Sequence, residues 1–151
     1  MQRVDFYLLP GNEERSRLKL GCRLIEQAYL RGERVFVWFD EPGALQRFDE
    51  LLWTFSDRSF VPHEPYSTAA QWQDTPVLLS CSAAPQESFG LLLNLGQAIP
   101  AAAAHAERVA ELIDADEQRR QAGRNRFRQY RERGLAPEAH TLAGEDAALI
   151  P

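Results

Sequence analysis

The chain has little cysteine, no long hydrophobic run and no recognisable phosphate-binding or metal-binding motif, and each absence narrows its class. Two cysteines among 151 residues, Cys22 and Cys81, are too few and too far apart for a disulfide framework and suit a reducing interior. No stretch approaches the 18 or more apolar residues of a membrane helix, so no membrane role is expected. The opening MQRVDFYLLPGNEE carries an apolar patch too short for a signal-peptide core. A phosphate loop needs backbone-exposing glycines followed by Lys-Ser/Thr. After the first apolar segment the chain instead reads PGNEERSRL, with Glu13 and Glu14 where phosphate would sit, and no GxGxxG follows. The three histidines, His63, His105 and His140, show no metal-ligand spacing. Cys81, at a strand end, has no local base or cation to activate it, and Cys22 lies on the inner face of the first helix. Carboxylate pairs such as Glu13-Glu14 and Asp49-Glu50 are sequence neighbours that point to different sides of a helix. No catalytic constellation, metal or cofactor is expected.

What is present is an ordinary globular composition, 44% hydrophobic and 26% charged, which places the chain among soluble folded domains and suggests a cytoplasmic protein. Net charge is −5, against a general nucleic-acid binder, but it is unevenly spread. Residues 119–133, RRQAGRNRFRQYRER, hold seven arginines and one glutamate, +6, leaving ten basic and twenty-one acidic residues elsewhere, −11. A positive island lies on a negative body.

Apolar runs at 4–9, 34–39, 76–81 and 89–95 read as strands, the second so continuously apolar that both faces must be covered. Leu18, Cys22, Ile25 and Tyr29 fall at helical spacing in a segment closed by Gly32. Asp40 is placed to cap a second helix with Pro42 in its first turn and Leu45, Phe48 and Leu52 inside. Residues 60–76 read as an ordered, irregular loop and 99–106 as helical. Arg108–Ile113 fits a strand or a helix. Asp114 is placed to cap a last helix ending near Arg133 at Gly134. The pattern predicts an α/β sandwich, one domain over 1–135 with a largely parallel central sheet, helices on both faces through right-handed crossovers, and a flexible tail at 136–151. Such a fold is nucleotide-binding-like but lacks the phosphate loop.

Two surfaces remain as candidate sites. At 100° per residue Arg120, Arg124, Phe127, Arg128 and Arg131 share a stripe of the last helix, while Arg119, Arg126 and Arg133 lie on another face. The stripe suits an acidic peptide bearing a ring or a free carboxylate, or phosphates with Phe127 or Tyr130 stacking on bases; it also fits a solvated basic helix with its rings packed inward. The residues alone leave these open. The second surface is the stretch DELLWTFSDRSFVPH, Asp49 to His63, where Trp53 and Phe60 flank a polar turn at a helix end. Leu52 and Phe48 already supply the inward face, which leaves Trp53 at its edge. Phe55 is undecided.

DFYLL, RVFVW, RFDELLWTFSDRSFVPH and GRNRFRQYRERG, in this order, resemble the chi subunit family of the bacterial DNA polymerase III holoenzyme. The resemblance runs to about Leu135 and is weakest over 64–100. It implies a noncatalytic replication adaptor that bridges the clamp-loader psi subunit and the acidic C-terminal tail of single-stranded DNA-binding protein. It further implies that Arg108–Ile113 is a strand, that Arg120, Arg124, Arg128 and Arg131 bind the tail with Ile113 beside them, and that Trp53 and Phe60 hold psi. A helicase-like repair partner would use that same aromatic surface. Some arginines here replace lysines of relatives, which keeps charge and changes geometry. A nucleic-acid- or nucleotide-processing enzyme using the arginine helix is the alternative, and sequence-specific nucleic-acid contact is not expected.

Overall fold

The computed structural model describes residues 2–142, and these build one seven-stranded sheet in the order β3-β4-β2-β5-β6-β1-β7. In chain order the elements are β1 (Arg3–Leu8), α1 (Glu14–Leu30), β2 (Val35–Trp38), α2 (Pro42–Thr54), β3 (His63–Pro65), β4 (Val77–Ser80), β5 (Phe89–Asn94), β6 (Ala106–Ile113), α3 (Glu117–Glu132) and β7 (Glu138–Thr141). Every pairing is parallel.

Residues alternate across the strands, and so divide the core in two. Val35, Val37, Leu79, Leu91, Leu93 and Leu112 pack with Leu20, Leu24 and Ile25 of α1 and Phe48 and Leu52 of α2. Phe36, Leu78, Leu92, Val109 and Phe6 pack on the opposite side with Tyr130 of α3 and with Trp72, Ala102 and Ala103 from two 3-10 turns, Ala69–Gln73 and Ala101–His105. The central strands are buried on both faces, which is why they read as unbroken apolar runs.

Several local expectations change. The N-cap of α2 is Glu41, without a side-chain bond, while Asp40 accepts the Gln97 amide at 2.8 Å and ties α2 to the end of β5. Asp116, not Asp114, caps α3, accepting the Arg119 amide at 3.0 Å. The loop expected over 60–76 contains the edge strand β3 and a 3-10 turn with a capping box from Thr68 and Gln71. Residues 99–106 give only a five-residue 3-10 turn, because Ala106 already pairs with Phe89. Part of the segment expected to be a tail is ordered: Glu138–Thr141 pairs with Asp5–Leu8, and the Leu142 amide donates to Leu8 O at 2.8 Å. The remainder of that segment, 143–151, lies outside the described residues. Gly32 and Gly134 take φ of +78° and +85°, the left-handed turns that end α1 and α3.

Candidate protein-binding surfaces

The six arginines of α3 sort by partner. Arg126 is buried and donates to Glu111 Oε1 at 2.9 Å and to Gln97 O at 2.7 Å. Glu111, fully buried on β6, also accepts from Tyr130 Oη at 2.8 Å and Asn94 Nδ2 at 3.0 Å. Burial pushes the Glu111 carboxyl above the usual range against the pull of these donors, and burial, then Glu111 itself, pushes the Tyr130 hydroxyl up. Arg119 grips Asp114 through Nε and Nη2 at 2.9 and 2.7 Å. Burial opposes ionisation of Asp114, but the bonds from Arg119 and the Asp116 amide outweigh it and hold the carboxyl below its ordinary value. These contacts fasten one side of α3 to the sheet.

Arg120, Arg124, Arg128 and Arg131 are exposed, and none pairs with a carboxylate among the described residues. Arg128 Nη2 donates to Asn125 Oδ1 at 2.9 Å. Between α3 and the sheet edge lies a recess of about 210 Å³ whose apolar wall is Phe6, Leu8, Ile113, Phe127 and Ala139, with Arg120 and Arg124 beside it. It continues into a wider concavity of about 590 Å³ lined by Arg124, Phe127, Arg128, Arg131 and Glu132. All six residues expected at the basic site therefore line two adjoining hollows that share Arg124 and Phe127. Phe127 is itself held edge-on to Phe6, with centroids 5.1 Å apart. An apolar slot beside free guanidinium groups can take a ring and a carboxylate at once.

Residue-by-residue reading missed Phe6, Leu8, Gly123 and Ala139 in this recess. Gly123 left a signal, a glycine inside an otherwise helical segment. A Cβ there would come within 2.5 Å of Ile113 Cδ1, so its absence lets the helix sit close to the end of β6.

At the other edge of the sheet Trp53 is 44% exposed and Phe60 67%, with ring centroids 5.4 Å apart. Beneath them the His63 ring lies 4.0 Å from Trp53; its Nδ1 donates to Val61 O at 2.7 Å and its Nε2 sits 3.1 Å from Asp49 Oδ1. Leu52 and Val61 are core, and Phe55 packs half-buried against it. The aromatic pair thus stands on a fixed platform without being part of the core.

The loop after β1 borders a hollow of about 380 Å³ lined by Leu9–Glu13, Ser16 and Asp114, whose carboxylates repel phosphate. Burial pushes the Cys22 thiol up to about 12, away from reactivity. Asp5, Glu138 and His140 bring three metal-capable atoms within 4.8 Å, but Asp5 already faces His140 Nε2 at 2.8 Å, a contact that ties β7 to β1, and Arg3 Nε at 2.9 Å. Among the described residues no helix is long and apolar enough to cross a membrane.

Residues 1–138 match the family described as DNA polymerase III chi subunit, HolC. The DNA polymerase III subunit chi of Pseudomonas aeruginosa PAO1 is 36% identical over 142 residues, covering 94% of this chain and 98% of that protein. Among solved structures, T4 UvsW superposes with a TM-score of 0.64 at 10% identity over 94% of this chain and 42% of its own longer chain, a likeness of fold alone. The chain belongs to the DNA polymerase III chi subunit family.

Proposed function

We propose that the protein is a noncatalytic, cytoplasmic adaptor of the replication machinery that joins the psi subunit of the clamp loader to the acidic C-terminal tail of single-stranded DNA-binding protein. The observation that carries this reading is the recess of Ile113 and Phe127 bordered by four exposed guanidinium groups that pair with no carboxylate among the described residues. A tail with a run of aspartates, a terminal hydrophobic pair and a free carboxylate complements it: the ring enters the slot, Arg124 grips the carboxylate, and Arg120, Arg128 and Arg131 steer the aspartates. The Trp53–Phe60 pair is the surface for psi, and for a helicase-like repair protein competing with it.

Sheet order supports bridging. Phe60 leads into edge strand β3, whereas the recess draws on β1, β6 and β7 at the far side. Four to six interstrand spacings put the surfaces roughly 20–30 Å apart, enough for two partners at once. The basic stripe is local on an acidic body, which disfavours extended contact with a phosphate backbone. Isotherms for the isolated tail peptide and a bare single-stranded oligonucleotide test the reading at one salt concentration. Saturable peptide binding with weak or absent oligonucleotide binding is expected; the reverse order would overturn the adaptor role.

A further inference from the structure

The sheet has a second feature away from both surfaces. Adjacent strands β1 and β6 send their following helices, α1 and α3, to opposite faces, and such a reversal opens a crevice beyond the carboxyl ends of the strands. A hollow of about 300 Å³ lies there, lined by Arg17, Gln97, Gln118, Arg119 and Arg126, with Glu14 and Asp116 also bordering it.

Arg17 is the anomaly. It is only 6% exposed, yet its guanidinium pairs with no carboxylate among the described residues. Among the described residues its one side-chain hydrogen bond runs from Nε to Leu112 O at 3.0 Å. The two other arginines of the hollow are neutralised, Arg119 by Asp114 and Arg126 by Glu111. Burial, then the nearby Arg119, lowers the Arg17 pKa to about 10, whereas Asp114 and Glu14 oppose that shift. A buried cation without a counter-ion is costly unless something anionic joins it. Arg17 also borders the smaller neighbouring hollow with Arg47.

We propose that Arg17 forms the floor of a binding site for one compact oxyanion, a phosphate or carboxylate group, in the crevice between α1 and α3. The guanidinium fork supplies two parallel donors. Glu14 and Asp116 at the opening, with Glu13 on the adjoining loop, restrict the site to a small head group and repel a polyphosphate chain. This site is separate from the tail recess, which uses the opposite side of α3.

The test uses the whole chain with inorganic phosphate and acetate as alternative probes, against chloride at matched ionic strength. Millimolar phosphate or acetate should raise the melting temperature by about 2–4 °C, and whichever acts identifies the head group preferred. The response should persist in Arg124→Ala, whose guanidinium lines the tail recess and not this hollow, and vanish in Arg17→Met. Without added anion Arg17→Met should melt no lower than wild type, because an uncompensated charge has been removed. The Nε–Hε resonance of Arg17 in wild-type protein should move on titration, a readout that does not depend on any variant folding. An unmoved Arg17 resonance, an equal response in Arg17→Met, or no response of the wild type to either probe overturns the site.

Discussion

Arginine does three different jobs in α3, and the difference lies in what each guanidinium meets. Arg126 is inside with Glu111, and removing one partner of such a pair leaves the other buried and unpaired. Arg126→Ala should therefore lower unfolding stability by about 3–5 kcal/mol, whereas Arg131→Ala on the surface should stay within about 0.5 kcal/mol. Urea denaturation of both variants checks this, and equal effects would contradict the placement. Asp114 gives a pH signature. Its folded carboxyl is held below the unfolded value, so the Arg119 contact stabilises fully above about pH 4 and is lost as pH falls through the folded value. The stability gap between wild type and Asp114→Asn should shrink on acidification from about pH 6 to about pH 3. A gap independent of pH would show that Asp114 is not ionised against Arg119.

Elements contribute by where they end. The approach of α3 to β6 depends on Gly123, since Ile113 fills the space a side chain would need. In Gly123→Ala the flexible end of Ile113 must turn into the recess, while the helix gains about 1 kcal/mol of propensity. The expected result is near-wild-type melting with tail-peptide affinity reduced several-fold; undiminished affinity would mean the recess is not used. At the end of α2, Trp53→Ala and Phe60→Ala should each weaken psi binding by about 1–3 kcal/mol with the fold intact. A variant unfolded at room temperature would place its ring in the core. Much of this was legible in sequence: β2 because a doubly covered parallel strand is apolar throughout, and the arginine stripe because helical spacing is local. β7 was not, since EAHT is an exposed edge strand whose only cue is its pairing with β1. The α3 cap was misplaced because Asp114 and Asp116 both precede the helix, and only the fold shows Asp114 taken by Arg119. Phe6, Ile113 and Ala139 meet through the parallel register of three distant strands, which no local spacing encodes.

For the whole molecule, the proposed function makes the parallel sheet a spacer. Its central strands are buried on both faces, its edge strand β3 lies beside an aromatic pair, and β6, β1 and β7 at the other side border a basic recess. The loop that a nucleotide-binding relative of this architecture would use is acidic here, and the partner contacts of the proposed function lie on the outer surfaces. The adaptor reading rests on recognition of an acidic tail by the recess, with Arg124 shared by both hollows and therefore the residue most dependent on the bound carboxylate. Titration calorimetry of the tail peptide against wild type and Arg124→Ala, at low and high salt, measures this directly. Loss of about 2–5 kcal/mol in Arg124→Ala at both salt concentrations is expected if the pair is desolvated, with a comparable loss when the terminal phenylalanine of the peptide is deleted. Wild-type affinity in Arg124→Ala would contradict it and leave the positive island a solvated face.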